Sequence, residues 1–226
     1  MISVVIPTLN EEKYVGKLLS CLCSQTFRHF EVIVVDGNSD DGTARVVKSF
    51  SKKLTIKLVN STKRNVSVQR NIGVSQARFN QLLFLDADVI IGKDFIKNMN
   101  NISFGTVKIL PYNGKWYDKA FFMTINILFY LLHRIKPYAI GSCIVSNKKL
   151  HKSVRGFDEK ITFCEDFDYV RRSSKYSGFV FDNKNRVFVS IRRFEEKGTK
   201  NTMRLWMKSF FYNLFTNKYL EVDYGW

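Results

Sequence analysis

A short apolar stretch near the middle of the chain, Leu82–Ile91, places the strongest constraint on how this sequence folds. Large aliphatic and aromatic side chains occupy both faces of the stretch, which is typical of a central strand covered on both sides by other elements. Only Asp86 and Asp88 interrupt it with charge, and an ionised carboxylate is costly to bury without a partner. We therefore expect a buried strand whose two acids lie where the strand emerges from the sheet.

Asp86 and Asp88 stand two positions apart, so their side chains share one side of an extended chain. Carboxylate oxygens are the ligands that Mg²⁺ and similar hard cations prefer, and a divalent ion offsets the repulsion between two acids. The alternative is a solvated acid pair that opens a turn, the usual role of a bare Asp-x-Asp sequence. The apolar residues on both sides of the pair favour a metal or ligand site.

Composition limits both the architecture and the partners. A chain of 226 residues with 45% hydrophobic content is large enough to bury a full core as one α/β domain. Its net charge of +16 predicts an anionic partner, and nucleic acid, an anionic membrane or a phosphorylated substrate would each satisfy it. The N-terminus lacks a basic region and reaches Pro7 early, so we expect no signal peptide and a cytoplasmic location. The four cysteines are scattered, which predicts reduced thiols.

The first half of the chain alternates predicted strands, at 2–6, 31–35, 54–59 and 82–91, with predicted helices. Pro7 is expected to end the first strand and Asn10 to cap the first helix. This alternation indicates a Rossmann-like, mostly parallel sheet with helices on both faces. Such sheets bind ligands at the carboxyl ends of their strands. Segments 7–10, 36–41 and 86–88 are therefore expected to line one common edge.

The second half is less regular, with strands predicted at 105–110, 140–146, 179–182 and 187–191. The apolar run 120–132 spans only about 20 Å as a helix, too short for a hydrocarbon core of about 30 Å. A last helix, from about Thr199 to Phe215, is predicted to be amphipathic and flanked by Lys200, Arg204 and Lys208. It either lies in a membrane interface or packs on its own domain. Its apolar stripe consists of Met203, Trp206, Met207, Phe210, Phe211, Leu214 and Phe215.

Four motifs in this order resemble the family-2 glycosyltransferases, which have the GT-A fold. They are Val-Ile-Pro7-Thr8-Leu-Asn10-Glu11, Val-Val-Asp36-Gly37-Asn38-Ser39-Asp40-Asp41-Gly42-Thr43, Leu-Asp86-Ala87-Asp88, and Gly156-Phe157-Asp158-Glu159 followed by Glu165-Asp166. By this resemblance, residues 1–100 form a donor-binding half and residues 101–198 an acceptor-binding and catalytic half of the same domain. Residues 199–226 form the amphipathic C-terminal helix and tail.

The resemblance implies an inverting transferase that uses a UDP- or GDP-linked sugar together with Mg²⁺ or Mn²⁺. Asp166 matches the family's general base, and Asp88 with Asp86 would bind the metal. Glu165, Arg192 and Arg193 are candidates for contact with the acceptor or a phosphate. The residues implied at the nucleotide sugar are Pro7, Thr8, Glu11, Asp36, Arg70, Asp86 and Asp88.

These residue types suit the chemistry apart from the family. A departing diphosphate needs a cation and an arginine, and the attacking hydroxyl needs a carboxylate on the opposite face of the sugar. For Asp166, the alternative is that it caps a helix together with Glu165. Gly37 stands where many family members have a second Asp, so base recognition rests on Asp36.

The basic tail completes the prediction of a non-processive, membrane-associated enzyme that acts on a lipid-linked or glycan acceptor, without nucleic acid as a partner. A sugar-nucleotide pyrophosphorylase is one alternative, but it would carry a Gly-rich phosphate loop near the first strand. The other alternative is a basic, nonenzymatic binder of membranes or nucleic acid. Such a binder has no need for Asp36, Asp86, Asp88 and Asp166 at the ends of strands and helices.

Overall fold

The structure is a computed structural model that describes residues 1–220 and 222. Strands and helices alternate along most of these residues. The elements are β1 (Ile2–Thr8), α1 (Val15–Cys23), β2 (Phe30–Asp36), α2 (Thr43–Ser49), β3 (Ile56–Asn60), α3 (Val66–Gln76), β4 (Gln81–Phe84), β5 (Val89–Ile90), α4 (Phe95–Met99), β6 (Gly105–Tyr112), α5 (Trp116–Leu132), β7 (Ile144–Asn147), α6 (Lys148–Ser153), α7 (Glu165–Ser174), β8 (Val180–Ser190), α8 (Arg192–Lys197) and α9 (Thr199–Thr216).

The strands form one sheet of 8 strands in the order β3-β2-β1-β4-β7-β6-β8-β5. The first four strands in this order are parallel, as the alternation with crossover helices predicts. Beyond them, β7 is antiparallel to both β4 and β6, and β5 is antiparallel to β8, whereas β6 and β8 are parallel. The sheet is thus parallel in its N-terminal half and mixed in the rest.

Core residues cover both faces of the sheet. In β1, Val4 and Ile6 belong to one apolar cluster and Val5 to another, because successive side chains of a strand point to opposite faces. In β4, Leu83 likewise faces the first cluster and Phe84 the second. Burial of each such side chain contributes about 1.5–3 kcal/mol, so this central pair of strands anchors the sheet.

Several predicted boundaries are wrong. The predicted strand at 82–91 ends at Phe84, and Asp86 and Asp88 lie in the connection to β5. The strands predicted at 179–182 and 187–191 are one strand, β8, which follows β6 through an irregularity in register. The helix α8 was not predicted.

The expectations for Pro7 and Asn10 are also wrong. β1 continues through Pro7 and pairs with β2 as far as Thr8. On its other side, β1 pairs with β4 only as far as Val5, so no β4 residue is left without an N–H from Pro7. Asn10 has φ 56°, and its side chain accepts the backbone N–H of Asp40 at 2.8 Å. α1 begins only at Val15.

The last helix forms as predicted, but its apolar stripe is divided. Phe210 is buried, and Met203, Trp206, Met207 and Leu214 pack against the body, so these side chains follow the alternative of packing on the domain. Phe211 and Phe215 are exposed. None of the helices in residues 1–220 is long and apolar enough to cross a membrane.

Candidate active site

The carboxyl ends of β1 and β4 open onto a cleft of about 260 Å³, which we call the edge cleft. It lies at the edge of the sheet where the sequence predicts a ligand site. Its lining includes seven of the predicted site residues, namely Pro7, Thr8, Glu11, Asp86, Asp88, Arg192 and Arg193. The same wall also contains Arg64, Gln69 and Lys197.

A second space, which we call the inner cavity, has a volume of about 120 Å³ and an apolar wall. Arg70, Glu165 and Asp166 lie in its lining, together with Phe122 and Phe210. Asp86, Asp88 and Arg193 line both spaces, so the inner cavity and the edge cleft adjoin at these residues.

Asp36 lines neither space, because it lies behind Thr8. Its Oδ1 accepts hydrogen bonds from the hydroxyls of Thr8 at 3.1 Å and Ser39 at 2.6 Å, and its Oδ2 accepts the Ser39 N–H at 3.0 Å. This network fixes the turn after β2 against the end of β1. Oδ2 accepts one hydrogen bond among the described residues, and the predicted role of Asp36 toward a nucleobase stays a prediction.

Arg70 joins the two halves of the site. It lies on α3, whose first turn is capped by Asn65 through the Val68 N–H at 3.0 Å. Its guanidinium donates to Asp86 Oδ1 at 3.0 Å and to Glu165 Oε1 at 2.7 Å, and its side chain is only 1% exposed. Burial by itself would lower the pKa of Arg70, but the attraction of these two carboxylates outweighs the effect of burial, so the pKa is raised. The carboxylates in turn obtain the partner that their own burial requires.

Arg192 contacts two predicted donor-site acids at once. Its guanidinium pairs with Glu11 Oε1, lies 3.5 Å from Asp88 Oδ2, and stacks over the ring of Tyr14 at 4.0 Å. Arg193 lies 3.9 Å from the same Glu11 oxygen. Burial raises the pKa of Glu11 to about 7, against the lowering effect of Arg192. Burial and the neighbouring Asp86 raise the pKa of Asp88.

Few side chains in the site could bind a divalent metal ion. Within residues 1–220 and 222, no three His, Cys, Asp or Glu side chains are grouped to hold a metal. Asp88 and Asp86 nevertheless line the edge cleft together, and Glu11 Oε2 is buried there without a hydrogen bond from any described residue. One or two carboxylates that leave room for water and phosphate oxygens fit the coordination of Mg²⁺.

Asp166 occupies the first turn of α7, after Cys164, which has a left-handed backbone with φ 64°. Its Oδ2 accepts the Gly141 N–H at 2.7 Å, and its Oδ1 accepts the Phe167 N–H at 2.8 Å. The N-cap position of α7 belongs to Cys164, and Glu165 pairs with Arg70 instead of the helix backbone. Burial and the adjacent Glu165 raise the pKa of Asp166.

Sequence reasoning missed Gln69, Tyr14 and Gly141. Gln69 Nε2 donates to the carbonyls of Thr8 at 2.7 Å and Val35 at 2.8 Å, and so ties α3 to the ends of β1 and β2. Its position next to Arg70 was the available signal. A Cβ atom at Gly141 would lie 2.1 Å from the Arg70 guanidinium, so glycine leaves room for that side chain. No local sequence pattern marks Gly141 or Tyr14.

Comparison with known proteins gives a consistent result. Residues 3–102 match the family model described as glycosyl transferase family 2. The poly(ribitol-phosphate) beta-N-acetylglucosaminyltransferase TarS of Staphylococcus aureus is 37% identical over 197 residues, which are 83% of this chain and 33% of TarS. The amylovoran biosynthesis glycosyltransferase AmsB of Erwinia amylovora is 33% identical over 205 residues, 79% of this chain and 65% of AmsB. The chain thus spans about a third of the length of TarS.

Solved structures agree with these relatives. A crystal structure of a TarS fragment with UDP superimposes with a TM-score of 0.70 at 25% identity, covering 84% of this chain and 60% of that chain. A mannosyltransferase from Pyrobaculum calidifontis, in complex with GDP-Man and Mn²⁺, gives 0.67 at 20% identity, covering 83% and 56%. The predicted GT-A fold is confirmed. The matching relatives are glycosyltransferases, which favours neither the pyrophosphorylase nor the nonenzymatic binder.

Proposed function

Because the chain belongs to glycosyltransferase family 2, we propose that it transfers a sugar from a UDP- or GDP-linked donor to an acceptor hydroxyl or lipid phosphate, with inversion. The observation that carries this proposal is the buried Arg70, which bonds Asp86 of the edge cleft and Glu165 of the inner cavity. One side chain thereby fixes the donor-side and acceptor-side carboxylates relative to each other. A displacement between two substrates requires such a fixed relation.

The edge cleft is the proposed donor site. Arg64, Arg192, Arg193 and Lys197 supply positive charge around it, which suits a diphosphate. Pro7, Thr8 and Glu11 would frame the base and ribose, with Asp36 behind them. TarS and the P. calidifontis enzyme were solved with UDP and GDP-Man, respectively, and these ligands support a nucleotide here without choosing between them.

Asp88, assisted by Asp86, is proposed to hold Mg²⁺ or Mn²⁺. When bound, a divalent ion would neutralise charge on the departing diphosphate. Arg192 now occupies part of this acidic environment by contacting Glu11 and Asp88. We expect the arginine to exchange these acids for phosphate oxygens when the donor enters, because both partners are anionic and the cleft is open.

Asp166 is the proposed general base. It lines the inner cavity beside Asp86 and Asp88, and its raised pKa favours proton uptake from an attacking hydroxyl near neutral pH. Gly141 and Phe167 hold its two oxygens through backbone N–H groups and so orient the carboxylate.

The acceptor is proposed to be lipid-linked or a glycan, and the enzyme to act at the cytoplasmic face of a membrane as a peripheral protein. The apolar wall of the inner cavity next to Asp166 supports an acceptor with an apolar part. A lipid-linked acceptor would also account for the positive charge of +16, because its phosphate and the surrounding leaflet are anionic.

Product stereochemistry tests this function. Donor sugars are first screened by thermal shift with UDP- and GDP-linked compounds, and the product of the active donor is analysed by NMR at the anomeric carbon. Inversion together with a loss of about 10²- to 10⁴-fold in transfer by Asp166→Asn, at unchanged donor affinity, is expected for a positioned base. Retention of configuration, or near-normal transfer by the variant, would overturn the assignment of Asp166.

A further inference from the structure

Two helices that wall the inner cavity also present a second, outward surface. α5 and α9 lie side by side and run in the same direction. The ring of Phe122 lies 6.3 Å from that of Trp206, and the rings of Phe129 and Phe210 are 5.9 Å apart. At the far end, Lys136 Nζ donates to the carbonyl of Asn213 at 2.6 Å.

Each of the two helices has an exposed side away from the inner cavity. With 3.6 residues per turn, Ile127 lies about 140° around α5 from the buried Phe122, and Phe215 lies about 140° around α9 from the buried Phe210. Each outward side chain is therefore on the far side of its helix from the cavity. Because both helices wall the same cavity and contact each other, we treat the two exposed strips together as one surface. We call this surface the outer face; it consists of Trp116, Met123, Ile127, Leu131 and Arg134 of the α5 segment and Lys200, Arg204, Lys208, Phe211 and Phe215 of α9.

The outer face combines large apolar side chains with cations. Trp116 is 80% exposed, Leu131 66% and Phe215 78%. Lys200, Arg204 and Lys208 recur every four residues on the same side of α9 as Phe211 and Phe215. Residues 116–136 and 199–218 contain a single acid, Asp118, which is buried. The surface thus has apolar and positive character without negative charge.

An anionic bilayer matches this character better than a second copy of the chain. Insertion among lipid headgroups removes the aromatic and aliphatic side chains from water, while lysine and arginine reach phosphate groups. A second copy would bring cations against a surface that has no carboxylate to receive them, which costs free energy.

We propose that the outer face binds an anionic phospholipid bilayer and thereby holds the inner cavity, on the opposite side of the same helices, next to the membrane. The proposal deepens the peripheral location given above. It rests on the proposed function only in assigning the cavity to a lipid-linked acceptor.

The test is co-sedimentation of the full chain with vesicles of phosphatidylcholine alone and of phosphatidylcholine mixed with phosphatidylglycerol. Binding is expected only with the anionic vesicles and is expected to weaken with salt. Each cation near an anionic leaflet contributes about 1 kcal/mol, so Lys200→Gln/Arg204→Gln/Lys208→Gln is expected to lower the partition coefficient by about 10²-fold.

A matched control removes the same charge elsewhere. Lys48, Lys52 and Lys53 are exposed in and after α2, and Lys48→Gln/Lys52→Gln/Lys53→Gln is expected to change partition by less than about threefold, because these residues lie outside the contact. For the apolar part, Leu131→Gln/Phe215→Gln is expected to weaken binding even at high salt. Tyr176→Gln, at a residue that is 66% exposed in the turn after α7, is expected to leave binding unchanged.

Equal losses in the two triple variants, or no sedimentation of the wild-type chain with anionic vesicles, would overturn the proposal. Self-association in sedimentation velocity that Leu131→Gln/Phe215→Gln abolishes, without vesicle binding, would assign the outer face to a second copy instead. Thermal shift with nucleotides on the same samples tests the donor site separately from vesicle binding. A protein that binds nucleotide but no vesicle contradicts only the outer-face proposal, and the reverse result contradicts only the donor site.

Discussion

Removing the Arg70 guanidinium is expected to cost about 3–5 kcal/mol of unfolding free energy. Arg70→Met keeps most of the side-chain volume but leaves Glu165, whose side chain is 5% exposed, as a buried charge without its partner at 2.7 Å. The second partner, Asp86, is 30% exposed, so solvent reduces its share of the loss. The stacking of the guanidinium over Phe157 at 5.1 Å is lost as well.

Urea unfolding measures this loss, and a second substitution shows where it comes from. Replacing the unpaired Glu165 by glutamine, in Arg70→Met/Glu165→Gln, is expected to restore about 1–3 kcal/mol of unfolding free energy, because the double variant no longer buries an unpaired charge. The rescue also keeps the test usable if Arg70→Met alone unfolds, since domains of this kind have only about 5–15 kcal/mol to lose. A loss below about 1 kcal/mol in Arg70→Met, or a double variant less stable than the single one, would refute the reasoning.

Two further predictions concern pH and packing. Since the pKa of Asp166 is raised and a base acts when deprotonated, kcat/KM for transfer is expected to fall as the pH falls through a midpoint well above the ordinary Asp pKa of about 3.9. An acidic limb of the pH profile centred near that ordinary pKa would contradict this prediction. Gly73→Ala places a Cβ atom 2.3 Å from Val5 Cγ1 where α3 crosses β1, so the free energy of unfolding measured in urea is expected to fall by about 1–3 kcal/mol. Gly178→Ala, whose added Cβ atom meets nothing within 4 Å, is the control. Equal stability of the two variants would mean that the contact between α3 and β1 relaxes without cost.

The part of the site formed by strand ends was predictable from local patterns. Apolar runs followed by Pro7, Asp36 and Asp86 predict strands that end at one edge of a parallel sheet, and the structure brings Thr8, Asp36 and Asp86 to that edge. The prediction holds because crossover helices permit little choice of direction for such strands.

Other parts depend on contacts that no local pattern encodes. Arg192 lies 181 positions after Glu11, and α8 is too short for its periodicity to be detected, so their ion pair could not be predicted. The antiparallel insertion of β7 between β4 and β6 was missed because an apolar run does not specify strand direction.

The burial of α9 was likewise only partly predictable from the sequence. Periodicity predicts which side chains share a stripe but not how wide a strip the protein buries, and the body covers Phe210 while leaving Phe215 exposed. How the exposed side chains of α5 and α9 combine depends on the side-by-side packing of the two helices, which no local pattern encodes.

The central claim, that the edge cleft binds a nucleotide through a metal held by Asp88, is tested most directly by isothermal titration of UDP and GDP with and without Mn²⁺. One of the two nucleotides is expected to bind the wild-type chain in a Mn²⁺-dependent manner, and Asp88→Asn is expected to lose that dependence because an amide is a poor ligand for a hard cation. Asp94→Asn, at an acid on α4's N-terminal side away from the cleft lining, serves as the control and is expected to bind like wild type. Unchanged Mn²⁺-dependent binding by Asp88→Asn, or no binding of either nucleotide by the wild-type chain, would contradict the account.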